Sequence, residues 1–409
     1  MTVPKLRFKE FGSEYNEYNL GKLLKSYRLG GNYSNSEIKT NLPLIKMGNL
    51  NRGSINLSKI EYIPSDEIID DQDQIQLGDL FFNTRNTLDL VGKVAIWRNE
   101  LPVAYYNSNL MRLEFENNFY MNFLLNTEKS LEKLKAIASG TTSVAAIYTK
   151  DLLKVKVKIP FVDEQTKIAS FLSNVDEKIS QLTQKHQLLS QYKQGMMQKL
   201  FSQQVRFKAD DGSEFGEWEY YKLGELTTLI TKGTTPTSLG GKFENSGINF
   251  IKIESLSSDG KFLLDKFAYI DEVTHNKLAR SQLENEDILF SIAGALGRVA
   301  IISNDYLPAN TNQALAIIRL RNKNITQYIY YFLNSDYVKK IIETESVQLA
   351  QANFSLGQLS DLDIVLPCHE EQTKIANFLS AIDQKIVVVA QQIEQAKQWK
   401  KGLLQQMFV

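Results

Sequence analysis

The hexapeptide Glu164-Gln-Thr-Lys-Ile-Ala169 occurs a second time, 207 residues further along the chain, as Glu371-Gln-Thr-Lys-Ile-Ala376. Around these two copies, residues 162–201 align with residues 369–408 without a gap, and 18 of the 40 positions are identical. Agreement over such a length does not arise by chance, so the chain contains an internal duplication. The repeat is too long for a solenoid unit and indicates a duplicated pair of domains.

The sequences before the two repeated segments correspond more loosely. Asp79-Leu-Phe-Phe82 matches Asp287-Ile-Leu-Phe290, and Gly92-Lys-Val-Ala-Ile96 matches Gly297-Arg-Val-Ala-Ile301. Each half therefore comprises a variable region of about 160 residues and a repeated segment of about 40. We expect four parts: a first variable domain (1–160), a first long helix (161–203), a second variable domain (204–366) and a second long helix (367–409).

The repeated segments are predicted to be long helices that pair as a coiled coil. Pro160 and Pro367 stand just before them, and acidic residues follow, where they favour the positive end of the helix dipole. Apolar residues then recur with heptad spacing, so we expect the two copies to pack against each other. The predicted seam comprises Leu172, Val175, Ile179, Leu182, Leu189, Leu379, Ile382, Ile386, Val389 and Ile393. His186, Lys193 and Lys400 also fall on this seam and are interpreted as polar residues that set its register.

The variable regions are predicted to be mixed α/β domains. Residues 155–159 and 362–366 have the pattern of strands, whereas 119–138 and 327–347 have that of amphipathic helices. Between such segments lie loops rich in Gly, Thr and Asn: 30–33, 139–142, 232–236 and 310–313. The loops recur at matching places in the two halves while their sequences differ. This favours one recognition surface in two versions, because Asn, Gln, Arg, Lys, Ser and Thr are the side chains that reach DNA bases and phosphates.

Composition restricts the class of protein. There are 47 basic and 47 acidic residues, and this zero net charge argues mildly against a protein that binds DNA unaided. It is compatible with a local basic face or with a partner that supplies phosphate contacts. No apolar run approaches the roughly 20 residues of a membrane span, the N-terminus lacks a signal-peptide core, and the single cysteine, Cys368, fits a reducing compartment. We expect a soluble cytoplasmic protein.

A search for catalytic or metal-binding motifs is negative. The sequence has neither a Walker-type phosphate loop nor a Pro-Pro pair of the kind found in adenine methyltransferase motifs, and it has only 3 histidines. Cys368-His369-Glu370 is interpreted as the start of a helix rather than a metal site. Asp287, close to Glu284, is interpreted as part of a turn before a strand. We therefore predict no catalytic residue and no metal ligand in this chain.

The paired motif resembles that of a known family. Pro160-Phe-Val-Asp-Glu-Gln-Thr-Lys-Ile-Ala169 and Pro367-Cys-His-Glu-Glu-Gln-Thr-Lys-Ile-Ala376, each after a diverged α/β region, are similar to the repeats of type I restriction–modification specificity subunits. Lys232-Gly-Thr-Thr-Pro-Thr237 also resembles the Gly-x-Thr-Pro loop of that family's target recognition domains. The corresponding Leu29-Gly-Gly-Asn-Tyr33 departs from it, since it lacks Thr-Pro.

The resemblance implies a fold and a division of labour. The fold would consist of two similar mixed α/β target recognition domains, separated by two long antiparallel coiled-coil helices, with a pseudo-twofold internal repeat. Each domain would recognise one half of an asymmetric site in double-stranded DNA, and the helices would dock two methyltransferase subunits. Those subunits would bind S-adenosylmethionine and methylate adenine N6, while restriction subunits would use ATP and magnesium. This chain would bind no cofactor and would be associated with a prokaryotic nucleoid.

Candidate DNA-binding residues are polar side chains in or near the loops of each half. They are Arg28, Asn32, Lys46, Arg85, Asn107 and Thr141 in the first half, and Lys232, Thr234, Thr235, Lys252, Arg298, Asn312 and Gln313 in the second.

Two alternatives of other classes stay open on the sequence. A coiled-coil scaffold that assembles protein partners would explain the helices and the neutral charge but not two large diverged domains. An enzyme with an unfamiliar site made of Asp, Glu and Lys would require a group with a shifted pKa in a cleft.

The negative motif search leads to a first prediction. The chain purified without a methyltransferase partner should transfer no methyl group from S-adenosylmethionine to DNA, because it has no motif that would bind this cofactor. A radiolabelled methyl-transfer assay measures this, with the co-expressed methyltransferase complex as the positive control. Robust adenine methylation by the chain alone would show that the prediction is wrong.

Overall fold

The computed structural model of the protein describes residues 3–347 and 353–409. It divides into two compact units, the first made of Met1–Gln184 with Ala390–Val409 and the second of Lys185–Val389. Each unit thus holds one variable region together with parts of both repeated segments. None of the helices in the described ranges combines the length and apolar character that a membrane span requires.

The elements of the first half alternate short strands with short helices and end in a long helix. They are β1 Asn16–Asn19, α1 Leu20–Leu23, β2 Ser26–Leu29, β3 Pro43–Ile45, β4 Glu61–Tyr62, β5 Leu80–Asn83, β6 Arg85–Asn86, β7 Val94–Ile96, β8 Tyr105–Tyr106, β9 Leu110–Glu114, α2 Asn118–Leu125, α3 Glu128–Ala136, β10 Ser139–Gly140, β11 Ala145–Ala146, α4 Thr149–Leu152, β12 Lys156–Ile159 and α5 Val162–Phe201.

The first unit is built around a four-stranded antiparallel sheet with the order β2-β9-β5-β7. Both of its faces are covered: Leu80 and Phe82 of β5 belong to one apolar cluster and Phe81 to another. A strand buried on both faces has no side that is left to solvent, and this is why Leu80, Phe81 and Phe82 show no alternation of apolar and polar residues. A second sheet has the order β4-β3-β8, with β3 antiparallel to β4 and parallel to β8. β1 pairs with β12, and a small third sheet has the order β10-β11-β6, with β11 in the centre.

The second half has a corresponding set of elements. They are β13 Glu219–Lys222, β14 Thr227–Lys232, β15 Ile248–Ile251, β16 Ala268–Ile270, α6 Glu272–Lys277, β17 Ile288–Ser291, β18 Val299–Ile301, β19 Ala309–Thr311, β20 Leu315–Leu320, α7 Thr326–Leu333, α8 Asp336–Val347, α9 Leu356–Ser360, β21 Asp363–Leu366 and α10 His369–Met407.

The four-stranded sheet, the mixed sheet and the pair of first and last strands of the first unit all recur in the second unit. Its four-stranded sheet has the order β14-β20-β17-β18, its mixed sheet the order β16-β15-β19, and β13 pairs with β21. The central β17 is again buried on both faces, with Ile288 and Phe290 in one cluster and Leu289 in another. The duplication seen in the repeated segments therefore extends to the variable regions, and the predicted fold class of two similar mixed α/β domains is confirmed.

The amphipathic segments differ from their predicted form. The segment predicted as one helix over 119–138 is two helices, α2 and α3, because Thr127 Oγ1 accepts a hydrogen bond from Ser130 N at 3.3 Å and caps a new helix. In the second unit the segment predicted over 327–347 is likewise divided, into α7 and α8. The apolar periodicity continues across each break, so the pattern alone did not reveal it.

The two long helices pack antiparallel within each unit. In the first unit the early part of α5 lies against the late part of α10, where Lys400 Nζ is 2.5 Å from Asp176 Oδ1. In the second unit the late part of α5 lies against the early part of α10, where Lys193 Nζ is 2.6 Å from Asp383 Oδ1. The two lysines predicted at equivalent seam positions thus pair with equivalent aspartates, and His186 is half-buried. The ten apolar residues of the predicted seam are buried or half-buried.

Each long helix begins with a buried carboxylate. Glu164, 1% exposed, accepts hydrogen bonds from Arg7 Nε at 2.7 Å and Nη2 at 2.6 Å. Glu371, 0% exposed, accepts from Arg206 Nε at 3.1 Å and Nη2 at 2.7 Å. Neutral donors complete the two sites, namely the Tyr15 hydroxyl on Glu164 and the Trp218 indole on Glu371. The carboxylate pairing raises the pKa of both guanidinium groups. The Glu of the repeated motif therefore links the segment before the first strand of each domain to the helix that follows the last strand.

The Gln of the motif has an equally local role. Gln165 Nε2 donates to the carbonyl of Pro160 at 2.9 Å, and Gln372 Nε2 donates to the carbonyl of Pro367 at 2.7 Å. Both glutamines are buried. This bond satisfies a carbonyl that lies just outside the helix, and it explains the fixed spacing between the proline and the Glu-Gln pair.

The buried ion pairs lead to a second prediction. Arg7→Ala and Arg206→Ala should each lower the free energy of unfolding by about 3–5 kcal/mol, because they leave a buried carboxylate without its partner. Guanidinium denaturation of the full chain measures this. Lys9→Ala removes an exposed cation near Arg7 and should change stability by less than about 0.5 kcal/mol. Losses below about 1 kcal/mol in both arginine variants would contradict the proposed anchoring role.

Candidate nucleic-acid interface

In the first unit, two strand ends bring polar residues together. Because β3 and β8 are parallel, with Leu44 opposite Tyr105, the residues that follow the two strands are neighbours. These residues are Lys46 and Asn107, and Asn107 N donates to the carbonyl of Ile45 at 3.2 Å. Together with Arg28 and Asn32, at the end of β2 and in the loop after it, they form what we call the first polar face.

The second unit has the same arrangement with other side chains. β15 and β19 are parallel, with Ile251 opposite Thr311, and they end next to Lys252 and Asn312. The loop after β14 lies beside them, since Thr234 N donates to the carbonyl of Thr311 at 3.1 Å. The second polar face comprises Lys232, Thr234, Thr235, Lys252, Asn312 and Gln313.

A glycine holds each loop against its strand end. A Cβ on Gly30 would lie 2.7 Å from the Asn107 oxygen and closer still to the preceding carbonyl, and a Cβ on Gly233 would lie 2.5 Å from the Asn312 oxygen with the same further clash. Only glycine allows this approach. The Gly-Gly-Asn loop therefore occupies the place of the Gly-Thr-Thr-Pro loop, although it lacks Thr-Pro.

On the first polar face, Arg28 is held by carboxylates. Its guanidinium contacts Asp70 at 2.6 Å, Asp73 at 3.0 Å and the Gln72 amide oxygen at 2.8 Å. The hydrogen bond to Asp73 raises the pKa of Arg28. Burial, together with a hydrogen bond to Asp73, raises the pKa of Tyr33 to about 12. The Arg28 charge is neutralised inside the domain.

On the second polar face, the side-chain contacts of the loop that the structure describes are to an arginine and an amide, not to carboxylates. Arg280 Nη2 donates to Thr234 Oγ1 at 3.0 Å, and Thr235 Oγ1 donates to the Gln313 amide oxygen at 2.5 Å. Arg280 and Gln313 are exposed. Asn312 Oδ1 accepts from Ala314 N at 3.2 Å, which leaves its amide NH2 as a donor.

The two lysines at equivalent strand ends also differ. Lys46 Nζ lies 2.8 Å from Glu61 Oε2, and the hydrogen bond from Lys46 lowers the pKa of Glu61. Lys252 Nζ instead lies 5.6 Å from the ring centroid of Phe243. Among the described residues, no carboxylate forms an ion pair with Lys252, Lys232 or Arg280.

Three predicted residues lie apart from the two faces. Arg85, exposed on β6, and Thr141, exposed on the hairpin of β10 and β11, share the small three-stranded sheet. Thr84, the residue before β6, donates its Oγ1 proton to the carbonyl of Asn109 at 3.2 Å. Arg298 is half-buried, and its guanidinium donates to the carbonyls of Ile253 and Leu256, so it supports the fold.

Sequence reasoning missed Arg280. The sheet register shows that Arg280 is the equivalent of Gln72. Gln74 forms a β-bridge with Tyr105, and Gln282 forms the same bridge with Asn310. Gln72 and Arg280 each lie two positions before the bridging glutamine. The offset of 208 lies within the range of the other matches. The signal was therefore present, but the segment around it matches its counterpart at too few positions to align by eye.

The predicted turn at Asp287 is present, with Asp287 N donating to the carbonyl of Glu284 at 3.1 Å. Asp287 Oδ2 accepts from Glu284 N at 2.7 Å, and both carboxylates contact Arg319.

Cys368, which the sequence places beside His369 and Glu370, is exposed. Within residues 3–347 and 353–409, no group of three His, Cys, Asp or Glu side chains could hold a metal ion. What the two polar faces present is amide, hydroxyl, ammonium and guanidinium groups that can donate and accept hydrogen bonds.

Comparison with known proteins identifies the class. Residues 13–191 and 216–398 match the family model described as the type I restriction modification DNA specificity domain. The chain belongs to this family, which confirms the resemblance seen in the repeated motif.

Individual relatives agree with this assignment. The chain is 27% identical to the putative type I restriction enzyme MjaX specificity subunit of Methanocaldococcus jannaschii, over 98% of this chain and 94% of the relative. It is 23% identical to the type I restriction enzyme EcoBI specificity subunit of Escherichia coli, over 82% and 72%. The type I restriction–modification S subunit structure from M. genitalium has a TM-score of 0.60, with 16% identity, 100% of this chain covered and 99% of the other. At that identity it supports the fold.

The close approach of the two loops leads to a third prediction. Gly30→Ala and Gly233→Ala should each lower the free energy of unfolding by about 1–3 kcal/mol, because the added Cβ pushes against backbone oxygens. Chemical denaturation of the full chain measures this. Gly12→Ala and Gly216→Ala, where nothing lies within 4 Å, are the matched controls for the two units. Equal stabilities of test and control variants would contradict the tight contact.

Proposed function

We propose that this chain is the non-catalytic DNA-recognition subunit of a type I restriction–modification complex and recognises a bipartite, asymmetric site. One observation carries the proposal. Two units share strand order and register, yet they present different side chains at equivalent places next to Gly30 and Gly233. A duplicated scaffold with diverged polar faces is suited to recognising two different half-sites.

The chemistry of the faces suits base recognition. Asn and Gln amides pair bidentately with adenine, Arg and Lys with guanine, and Thr hydroxyls with either. Of the second polar face, Lys232 and Gln313 are exposed and Asn312 keeps free donors. In this proposal, replacing a residue that contacts a base costs about 1–3 kcal/mol of binding and relaxes specificity at that position.

The long helices provide the sites for partner subunits in this proposal. α5 and α10 carry exposed apolar side chains that partner subunits would cover. They are Val162, Leu188, Tyr192, Val387, Val388 and Trp399, between 40% and 56% exposed. Two methyltransferase subunits would dock on this helix pair, and restriction subunits would join them. S-adenosylmethionine, ATP and magnesium would be bound by those partners.

Module exchange tests the proposal and is the fourth prediction. Residues 1–155 are replaced by the corresponding region of a related subunit, and the chain is expressed with its methyltransferase partner. Single-molecule sequencing of methylated adenines in the host should show that one half of the motif changes while the other half is retained, because each domain recognises its own half-site. The reciprocal exchange of the second variable domain is the matched control. A change in both halves after a single exchange, or no methylation that depends on this chain, would contradict the proposal.

A further inference from the structure

The two polar faces differ in how their cations are neutralised. Lys46 and Lys252 follow equivalent strands, and the sheet register places Glu61 opposite Leu44 in the first unit. In the second unit it places Ala268 opposite Phe250, which is the equivalent of Leu44. The carboxylate that pairs with Lys46 therefore has an alanine as its counterpart, and among the described residues Lys252 has no carboxylate partner.

The same substitution pattern occurs around the arginines. Asp70 and Asp73 hold Arg28 in the first unit. Counted from the bridging glutamines, Gln74 and Gln282, their counterparts are Leu278 and Ser281. At the position of Gln72 stands Arg280, whose guanidinium is bound by the Thr234 hydroxyl alone among the contacts described. The three carboxylates that pair with cations of the first polar face, Glu61, Asp70 and Asp73, thus have uncharged residues as their counterparts in the second unit.

These differences determine how each face meets a polyanion. A lysine or arginine already paired with a carboxylate brings no net charge to DNA, and the carboxylate repels the phosphates. An unpaired cation neutralises a phosphate and releases a condensed counterion, which makes binding depend on salt. Total charge does not show this, because the chain as a whole is neutral.

We propose, on the basis of the proposed function, that the second domain is the electrostatic anchor of this subunit on DNA. Lys252 and Arg280 contact phosphates, while their counterparts in the first domain, Lys46 and Gln72, do not. The first domain recognises its half-site through uncharged groups and through hydrogen-bonded, internally neutralised side chains. Affinity for any duplex, specific or not, then comes mainly from the second domain.

The reciprocal exchange of one residue tests this inference. The chain is co-expressed with its methyltransferase partner, and the complex is titrated by fluorescence anisotropy. One duplex of about 40 bp carries the motif methylated in the host, and a second is scrambled, with salt from about 50 to 200 mM. Ala268→Glu gives Lys252 the carboxylate partner that Lys46 has in the first domain. This variant should weaken binding to both duplexes, and the negative slope of log K against log salt should become shallower by about 0.9, because one phosphate contact is lost. Glu61→Ala, which copies the second domain, should do the opposite.

Two further variants at exposed positions separate a loss of DNA binding from a loss of folding. Arg280→Gln, which copies Gln72 at an exposed position, should reduce the slope by about 0.9 as Ala268→Glu does. Lys208→Ala removes an exposed lysine that is paired with Glu214 and should leave the slope unchanged. If the wild-type complex binds its motif but Ala268→Glu and Arg280→Gln leave the slope unaltered, the inference is wrong and the proposed function stands. If the wild-type complex does not prefer its motif over the scrambled duplex, the proposed function itself fails.

Discussion

A buried carboxylate at the start of each long helix is the interaction on which the rest of the structure depends. Glu164 and Glu371 are almost fully removed from solvent, and each is paired with a bidentate arginine, so that removing the arginine would leave a buried carboxylate without a partner. The arginine comes from the segment before the first strand of the domain and the glutamate from the helix after its last strand. Each α/β domain is thereby closed at its base, and its first strand pairs with its last.

That closure separates two kinds of constraint within a domain. The core must keep side chains of similar volume, since every residue of the strands β5 and β17 is buried. The opposite strand ends must keep only a glycine and the parallel pairing of two strands. Side chains next to Gly30 and Gly233 can therefore diverge without cost to the fold, and this is the property that a recognition surface with changeable specificity requires.

Much of the architecture could be predicted from the sequence. The long helices, the strands that close each domain and the duplication itself all followed from heptad spacing, alternation and the repeated Glu-Gln motif. The break at Thr127 could not be predicted, because the sequence does not distinguish a threonine that caps a helix from one that lies within a helix. The acidic residue after each proline suggested a helix-dipole interaction, whereas Glu164 and Glu371 are committed to ion pairs with arginines distant in sequence.

The sequence by itself determined that the chain is a duplicated α/β protein with a coiled-coil pair, and its repeated motif indicated the family. Only the tertiary structure decided which of the predicted polar residues share a face and which of their charges are free. Arg28 and Arg298 were plausible DNA ligands in the sequence but are bound internally, whereas Arg280 was overlooked. The physical reason is that ion pairing depends on distances between strands that are far apart in the chain. The sequence shows that Lys46 carries a charge, but only the register of the folded sheet shows that Glu61 lies beside this lysine.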